Sequence, residues 1–185
     1  QATVFSGEVW RLLTYGLLHG GWAHVTLNTL CLLLLGAGIE SILGPVAVWR
    51  TLIVGTITGG IFHALAVPGG PNAAILVGAS GGCMALLILL TTLSPESRMW
   101  PLPVSARSLG IGVMAAELLL ALMDPRLGVP GFSAGGEMLV RQGLGGWFAV
   151  GHACHFGGGM AGFLFGRWLL RPRVTAGRLR PARGQ

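Results

Sequence analysis

Apolar residues fall into five long stretches along the chain, at about 22–43, 46–66, 74–94, 106–123 and 146–170. Each stretch is close to the ~20 residues that a helix needs to cross the hydrocarbon core of a bilayer. An alternative for the short 106–123 stretch is a buried helix of a water-soluble core. Nothing between the stretches is suited to a second, water-facing layer, so we interpret all five as spanning helices. The predicted fold class is all-α, a polytopic bundle of membrane helices.

Glycine and proline separate these stretches and predict one membrane domain, residues 1–170, followed by a tail, residues 171–185. Gly44 and Pro45 divide the first two stretches, and a cluster at 68–71 precedes the third. The longest connection, residues 124–145, is rich in glycine. We therefore expect a single unit with short connections and one longer loop.

Composition supports the membrane interpretation. Of the 185 residues, 52% are hydrophobic and only 10% are charged, and the mean hydropathy is +0.72. These values exclude an ordinary soluble domain of this size. Cys31, Cys83 and Cys154 all fall within predicted spans. They have neither metal-finger spacing nor paired loop positions, so we expect free thiols and no disulfide.

The charge is +6, and all the basic residues are arginine. A basic face would suggest a nucleic-acid partner, but many of these arginines follow the last stretch, so we predict a lipid bilayer and no nucleic acid. Positive charge gathers on the cytoplasmic side of membrane proteins. We therefore predict a cytoplasmic C-terminus, and an odd number of spans then puts residues 1–21 outside. The tail arginines are Arg171, Arg173, Arg178, Arg180 and Arg183.

Small residues predict which helices pack together. Gly158, Gly162 and Gly166 recur every four residues and form one smooth strip on the fifth stretch. Glycines also flank Ser80 in the third stretch, and small residues let membrane helices approach closely. We expect the third and fifth stretches to pack there, which brings Ser80 near His155.

Polar side chains within the stretches are the candidates for chemistry, because an unpaired polar group in hydrocarbon costs a few kcal/mol. They include Asn28 and His24 in the first stretch, Ser80 in the third and His155 in the fifth. At 1.5 Å per residue, Ser80 and Asn28 lie about 9 Å below the outer surface, and His155 lies near 14 Å. Three helices thus deliver a hydroxyl, an amide and an imidazole to one layer.

These residue types suit acyl transfer. A serine hydroxyl becomes a nucleophile when a histidine takes its proton, which are the roles of Ser80 and His155. Asn28, His24 and the Ser80 backbone N–H are candidate donors to the oxyanion. His152, three residues before His155, is an alternative base or a structural companion. For Glu117, at a similar depth, we favour a paired structural role.

A metal or haem protein is another hypothesis, with His24, His152, His155 and Cys154 as ligands. The absence of a second set of histidines at a matching depth disfavours it. We predict no cofactor and no metal.

Several motifs together resemble the rhomboid family. They are Trp10-Arg11, His19, His24, Asn28, Gly78-Ala79-Ser80-Gly81 and His155-Phe156-Gly157-Gly158. The resemblance implies a bacterial intramembrane serine protease of the inner membrane. Ser80 is then the nucleophile and His155 the base, without a carboxylate, while His24 and Asn28 line the oxyanion site. Trp10, Arg11 and Glu40 resemble family positions used structurally.

The chain also departs from the family pattern. The family core has six spans, so the resemblance predicts that the first helix is absent here. Met84 stands where many relatives carry an aromatic residue that packs on the catalytic histidine. The predicted activity is cleavage of peptide bonds in or near transmembrane helices of other proteins. The alternative is a non-catalytic relative that binds such helices, and the oligomeric state is left open.

Overall fold

The computed structural model describes residues 2–67, 75–98 and 103–172. Within these ranges the chain is helical, and the extended pairing is limited to one isolated bridge between Arg98 and Ser105. The α-helices are α1 (Ala2–Phe5), α2 (Arg11–Thr14), α3 (Trp22–Leu43), α4 (Pro45–Ala66), α5 (Ser80–Leu93), α6 (Ala106–Met123), α7 (Phe132–Leu139) and α8 (His152–Leu169). Short 3-10 turns cover Tyr15–Leu17, Pro125–Leu127 and Gly145–Ala149, and a π turn covers Val140–Leu144.

A sharp reversal joins α3 to α4. Gly44 has φ 80° and ψ 169°, a backbone conformation that glycine tolerates, and its N–H bonds to the Glu40 carbonyl at 2.8 Å. Pro45 follows as the first residue of α4, where its missing N–H is not needed by the helix. The two long helices therefore lie side by side.

The helix α5 lies at the centre of the bundle. It packs against α3, α4, α6 and α8, and α8 in turn packs against α4. At the end remote from Ser80, a buried cluster of Ile39, Val48, Leu86 and Leu89 joins α3, α4 and α5. The residues at the start of α5 are therefore surrounded by the other long helices.

Glycine permits the closest of these approaches. A side chain at Gly158 would overlap the Gly81 carbonyl, and one at Gly162 would overlap the Ala85 carbonyl. The strip predicted on the fifth stretch thus lies directly against α5. This packing has the geometry expected from the four-residue spacing.

Three helices are long and apolar enough to cross a membrane by length and composition, namely α3, α4 and α6. The helix α5 is apolar but has only 14 residues. Glycines and histidines lower the hydropathy of α8, so it does not meet the same criterion of length and composition. The short stretch 106–123 agrees with α6 at both ends.

Two predicted boundaries are wrong. The stretch 74–94 is predicted to be helical throughout, but α5 begins at Ser80. Gly78 adopts φ +103°, which is not a helical conformation and keeps the helix from starting earlier. The stretch 146–170 begins as a 3-10 turn and an extended Val150, and α8 starts only at His152. Hydropathy does not register such a break, because the residues on both sides are equally apolar.

The connection 124–145 contains structure of its own, including α7. Asp124 accepts hydrogen bonds from the backbone and side chain of Arg126, whose guanidinium also donates to the Phe148 carbonyl at 2.5 Å. This pairing raises the pKa of Arg126. It ties the end of α6 to the turn that leads into α8. Of the predicted basic tail, residues 173–185 lie outside the described residues.

Candidate active site

Ser80 is the first residue of α5, and the preceding turn determines where it lies. Gly78 occupies a left-handed conformation with φ +103°, and its N–H donates to the Tyr15 carbonyl at 3.1 Å. A Cβ at this position would lie 2.5 Å from Nε2 of His24 and 3.1 Å from Nδ2 of Asn28. Only glycine therefore fits here, and the turn brings two side chains of α3 against the start of α5.

His155 lies in the first turn of α8 and faces Ser80. Its Nε2 is 2.7 Å from the Ser80 hydroxyl oxygen, within the usual range for a hydrogen bond. The backbone N–H of His155 bonds to the Gly151 carbonyl at 3.0 Å, so the residue is held in the helix. Only 13% of its side chain is exposed. The hydroxyl and the imidazole thus meet directly in a nearly enclosed place.

The other ring nitrogen of His155 faces Glu117. Its Nδ1 is 3.1 Å from Oε1 of Glu117, and Oε2 of the same carboxylate is 2.7 Å from Nδ1 of His152. His152 Nε2 donates to the Trp147 carbonyl at 2.8 Å. The carboxylate, on α6, therefore bridges two histidines of α8. His152 has these partners of its own, and the ring nitrogen that faces the Ser80 hydroxyl belongs to His155.

Two side chains of α3 offer donors near the start of α5. Asn28 is 6% exposed, and its Nδ2 has no hydrogen-bond partner in the described ranges. His24 Nδ1 accepts from the Gly20 N–H at 3.5 Å, which leaves a proton for Nε2 on the side of Gly78. A buried amide without a partner is uncommon. An oxyanion formed beside Gly78 would supply one.

Helix N-termini converge on the same place. Both α5 and α8 begin at the site, with Ser80 and His152 as first residues and no side-chain caps. The first N–H groups of a helix have no partner within the helix, and the helix dipole makes this end positive. Negative charge at the site is therefore favoured from two directions.

A family model described as the Rhomboid domain matches residues 6–172. The chain belongs to the rhomboid family. Together with the apolar helices, this makes it a multi-pass membrane protein.

Three relatives of this rhomboid are proteins of human and Arabidopsis thaliana. RHOMBOID-like protein 5 of Arabidopsis is 27% identical over 92% of this chain and 47% of its own length. Human Rhomboid-related protein 3 is 36% identical over 43% of this chain and 19% of its own. RHOMBOID-like protein 4 of Arabidopsis is 34% identical over 47% of this chain and 21% of its own length. The chain thus spans less than half the length of each relative. No solved structure gave a match.

Sequence reasoning missed the part that Tyr15 plays in this rhomboid. The Tyr15 hydroxyl donates to the Thr56 carbonyl at 2.7 Å and lies 3.2 Å from Sγ of Cys154. Burial raises the pKa of this phenol well above its usual range, so it stays neutral. Tyr15 thereby links the segment before α3 to α4 and α8, while its carbonyl holds Gly78. The signal in the sequence was that Tyr15 is the only tyrosine in the chain.

Of the residues for which the rhomboid pattern predicts a structural role, the glycines are packed between helices and the others are exposed. Gly78, Gly81, Gly158 and Gly162 all lie in close helix contacts. Trp10 is 59% exposed, and Arg11 pairs with Glu8 at 2.5 Å. The exposed Glu40 carboxylate has no partner in the part of the chain that the structure describes. A structural role for Trp10, Arg11 and Glu40 stays a prediction.

Proposed function

We propose that this rhomboid is an intramembrane serine endopeptidase that cleaves peptide bonds in or near transmembrane helices of membrane proteins. Ser80 is the nucleophile and His155 the general base. The observation that carries the proposal is the 2.7 Å contact between the Ser80 hydroxyl and Nε2 of His155. A hydroxyl and an imidazole at this distance have the geometry required for nucleophilic catalysis.

The chemistry follows from these two groups. Ser80 Oγ attacks the scissile carbonyl while its proton passes to Nε2 of His155. The tetrahedral intermediate collapses, and the imidazolium gives that proton to the leaving amine. Water then attacks the acyl-enzyme, again with His155 as the base, and releases the second product and free Ser80.

Donors for the oxyanion lie on the α3 side of Ser80. The donors that we assign to it are the unpartnered Nδ2 of Asn28, Nε2–H of His24 and the Ser80 backbone N–H. Fixed donors aimed at developing charge supply a large share of enzymatic rate enhancement. Their position by Gly78 supports an oxyanion site there.

The bilayer placement is part of the proposal. The 14 residues of α5 rise about 21 Å, less than the ~30 Å hydrocarbon core, which suits a helix that begins below the outer surface. We assign five spans, with α5 and α8 among them, in a bacterial inner membrane with the C-terminus in the cytoplasm. A substrate helix must unwind locally to present its carbonyl, because helical backbone groups are already bonded. Small or helix-breaking residues near the cut are therefore expected.

The direct test compares Ser80→Ala with Ser41→Ala in the full chain. The Ser41 hydroxyl donates to its own helix, to the Gly38 carbonyl at 2.8 Å, at the remote end of α3. We expect Ser80→Ala to abolish both cleavage of a transmembrane substrate and labelling by a fluorophosphonate probe, while Ser41→Ala retains both. If the folded wild-type protein binds transmembrane helices but neither cleaves nor reacts with the probe, the non-catalytic alternative replaces this proposal.

A further inference from the structure

We propose that Glu117 is a positioning residue for His155 and that His152 holds Glu117 in place. The inference rests on the proposed function and deepens it, because it replaces the expected pair of Ser80 and His155 with a chain of four groups. The observation is the bridging carboxylate, 3.1 Å from Nδ1 of His155 and 2.7 Å from Nδ1 of His152. The sequence predicts a paired structural role for Glu117 and does not predict its contact with His155.

Proton positions follow from the partners of His155. A neutral imidazole carries one N–H, and a base for Ser80 must keep Nε2 free of a proton. The proton is then on Nδ1, where it donates to Oε1 of Glu117. A carboxylate at that nitrogen selects this tautomer. It also keeps the ring turned so that Nε2 faces the hydroxyl.

His152 fixes the carboxylate from its other side. Its Nε2–H donates to the Trp147 carbonyl, an acceptor only. Its Nδ1 therefore shares one proton with Oε2 of Glu117. Each oxygen of Glu117 is thus assigned to one histidine, and rotation of the carboxylate away from His155 would break the shorter contact.

The surroundings suit a negative charge at this place. The Glu117 side chain is 15% exposed, and that of His152 is 9% exposed, so water screens the group little. The positive end of α8 lies beside it, since its two partners belong to the first turn of that helix. Asp124, the next carboxylate along the chain, is engaged by Arg126. Within the described ranges, the hydrogen bonds of Glu117 go to His152 and His155.

The catalytic consequence concerns the imidazolium. When His155 accepts the Ser80 proton at Nε2, it becomes a cation with its Nδ1–H still directed at Glu117. A carboxylate at hydrogen-bond distance stabilises this cation more than it stabilises the neutral ring. The Nδ1 proton stays on His155 throughout, so atoms and charge balance without transfer to Glu117.

Two substitutions separate hydrogen bonding from charge. In Glu117→Gln, the amide oxygen still accepts from His155 and the amide nitrogen donates to an unprotonated Nδ1 of His152, so the geometry is kept while the carboxylate charge and the proton that it shares with His152 are lost. In Glu117→Leu both are lost. Glu137→Leu is the control, because Glu137 is an exposed carboxylate on α7 that pairs with Arg141 at 3.5 Å.

The experiment measures kcat and KM for a transmembrane substrate, with the active fraction counted by fluorophosphonate labelling of Ser80. By analogy with the carboxylate of serine-protease triads, we expect Glu117→Leu to lower kcat about 100-fold or more per active site, with KM nearly unchanged. Glu117→Gln should lower it about 10-fold. Glu137→Leu should match the wild-type protein. Nitrogen-15 NMR of labelled histidine should show Nδ1–H on His155.

The outcomes separate this inference from the proposed function. An unreactive wild-type protein overturns the function. If the wild-type protein is active and both Glu117 variants have the wild-type kcat per labelled site, only the role of Glu117 is overturned, even if less of the variant protein folds. An Nε2–H tautomer of His155 in the active wild-type protein also overturns it. If Glu117→Leu fails to fold, the kcat of Glu117→Gln decides.

Discussion

Asn28 carries a side-chain N–H group that is buried without a partner in the described chain, beside the turn that leads to Ser80. If this amide donates to the oxyanion, Asn28→Ala should lower kcat about 100-fold, with little change in KM, as for other oxyanion donors. The matched control is Thr29→Ala, because Thr29 is exposed and its hydroxyl donates within its own helix, to the Val25 carbonyl. Kinetics with both variants check this, and an unchanged kcat in Asn28→Ala would remove the residue from the oxyanion site.

Single residues were predictable where a polar side chain interrupted an apolar stretch. Ser80, Asn28 and His155 stood out in that way, and spacing brought them to one depth. The bridge from Glu117 was not accessible to the same reasoning, because it depends on the rotation of α6 about its axis. That rotation is set by packing with α8, which a single sequence does not display.

At the scale of elements, glycine packing determines how closely α5 and α8 approach. A methyl group at Gly162 would overlap the Ala85 carbonyl, whereas one at Gly112 of α6 would have nothing within 4 Å. We expect Gly162→Ala to destabilise the bundle by about 1–3 kcal/mol, because the backbones must separate. Gly112→Ala should be neutral or stabilise by up to about 1 kcal/mol, since alanine favours helix.

Thermal unfolding in detergent micelles measures both glycine variants. Equal stability of Gly162→Ala and Gly112→Ala would show that the contact between α5 and α8 relaxes without cost. Loss of fluorophosphonate labelling in Gly162→Ala is expected to accompany its destabilisation. Ser80 and His155 belong to the two helices that would be forced apart.

Element boundaries were predictable where residues with special backbone preferences marked them. Gly44 and Pro45 ended one helix and began the next close to the expected place. The starts of α5 and α8 were not predicted, because apolar segments that are not α-helical precede both helices. Gly78 marked one of these starts, but a glycine between apolar residues also occurs inside membrane helices. The contact between Gly78 and α3 that distinguishes the two cases is tertiary.

At the scale of the whole molecule, charge differs between the two ends of the bundle. Each described arginine at the Ser80 end pairs with a carboxylate. At the other end Arg107 pairs with Glu96, whereas Arg50, Arg167 and Arg171 have no carboxylate partner among residues with described positions. The pairs at the Ser80 end are Arg11 with Glu8, Arg126 with Asp124, and Arg141 with Glu137. Unpaired positive charge favours the cytoplasmic side of a membrane. The structure thus adds a reason for the predicted orientation.

Reporter fusions in a bacterial host test that orientation. Alkaline phosphatase is active only outside the cytoplasm, so a fusion after Gln185 should be inactive, while green fluorescent protein at the same place should fluoresce. Insertion after Gly128, an exposed left-handed turn residue at the Ser80 end, should give the opposite pair of results. Active phosphatase at Gln185 would show that the bundle has the opposite orientation in the membrane. Ser80 would then open to the cytoplasm, and substrates would be cut from that side.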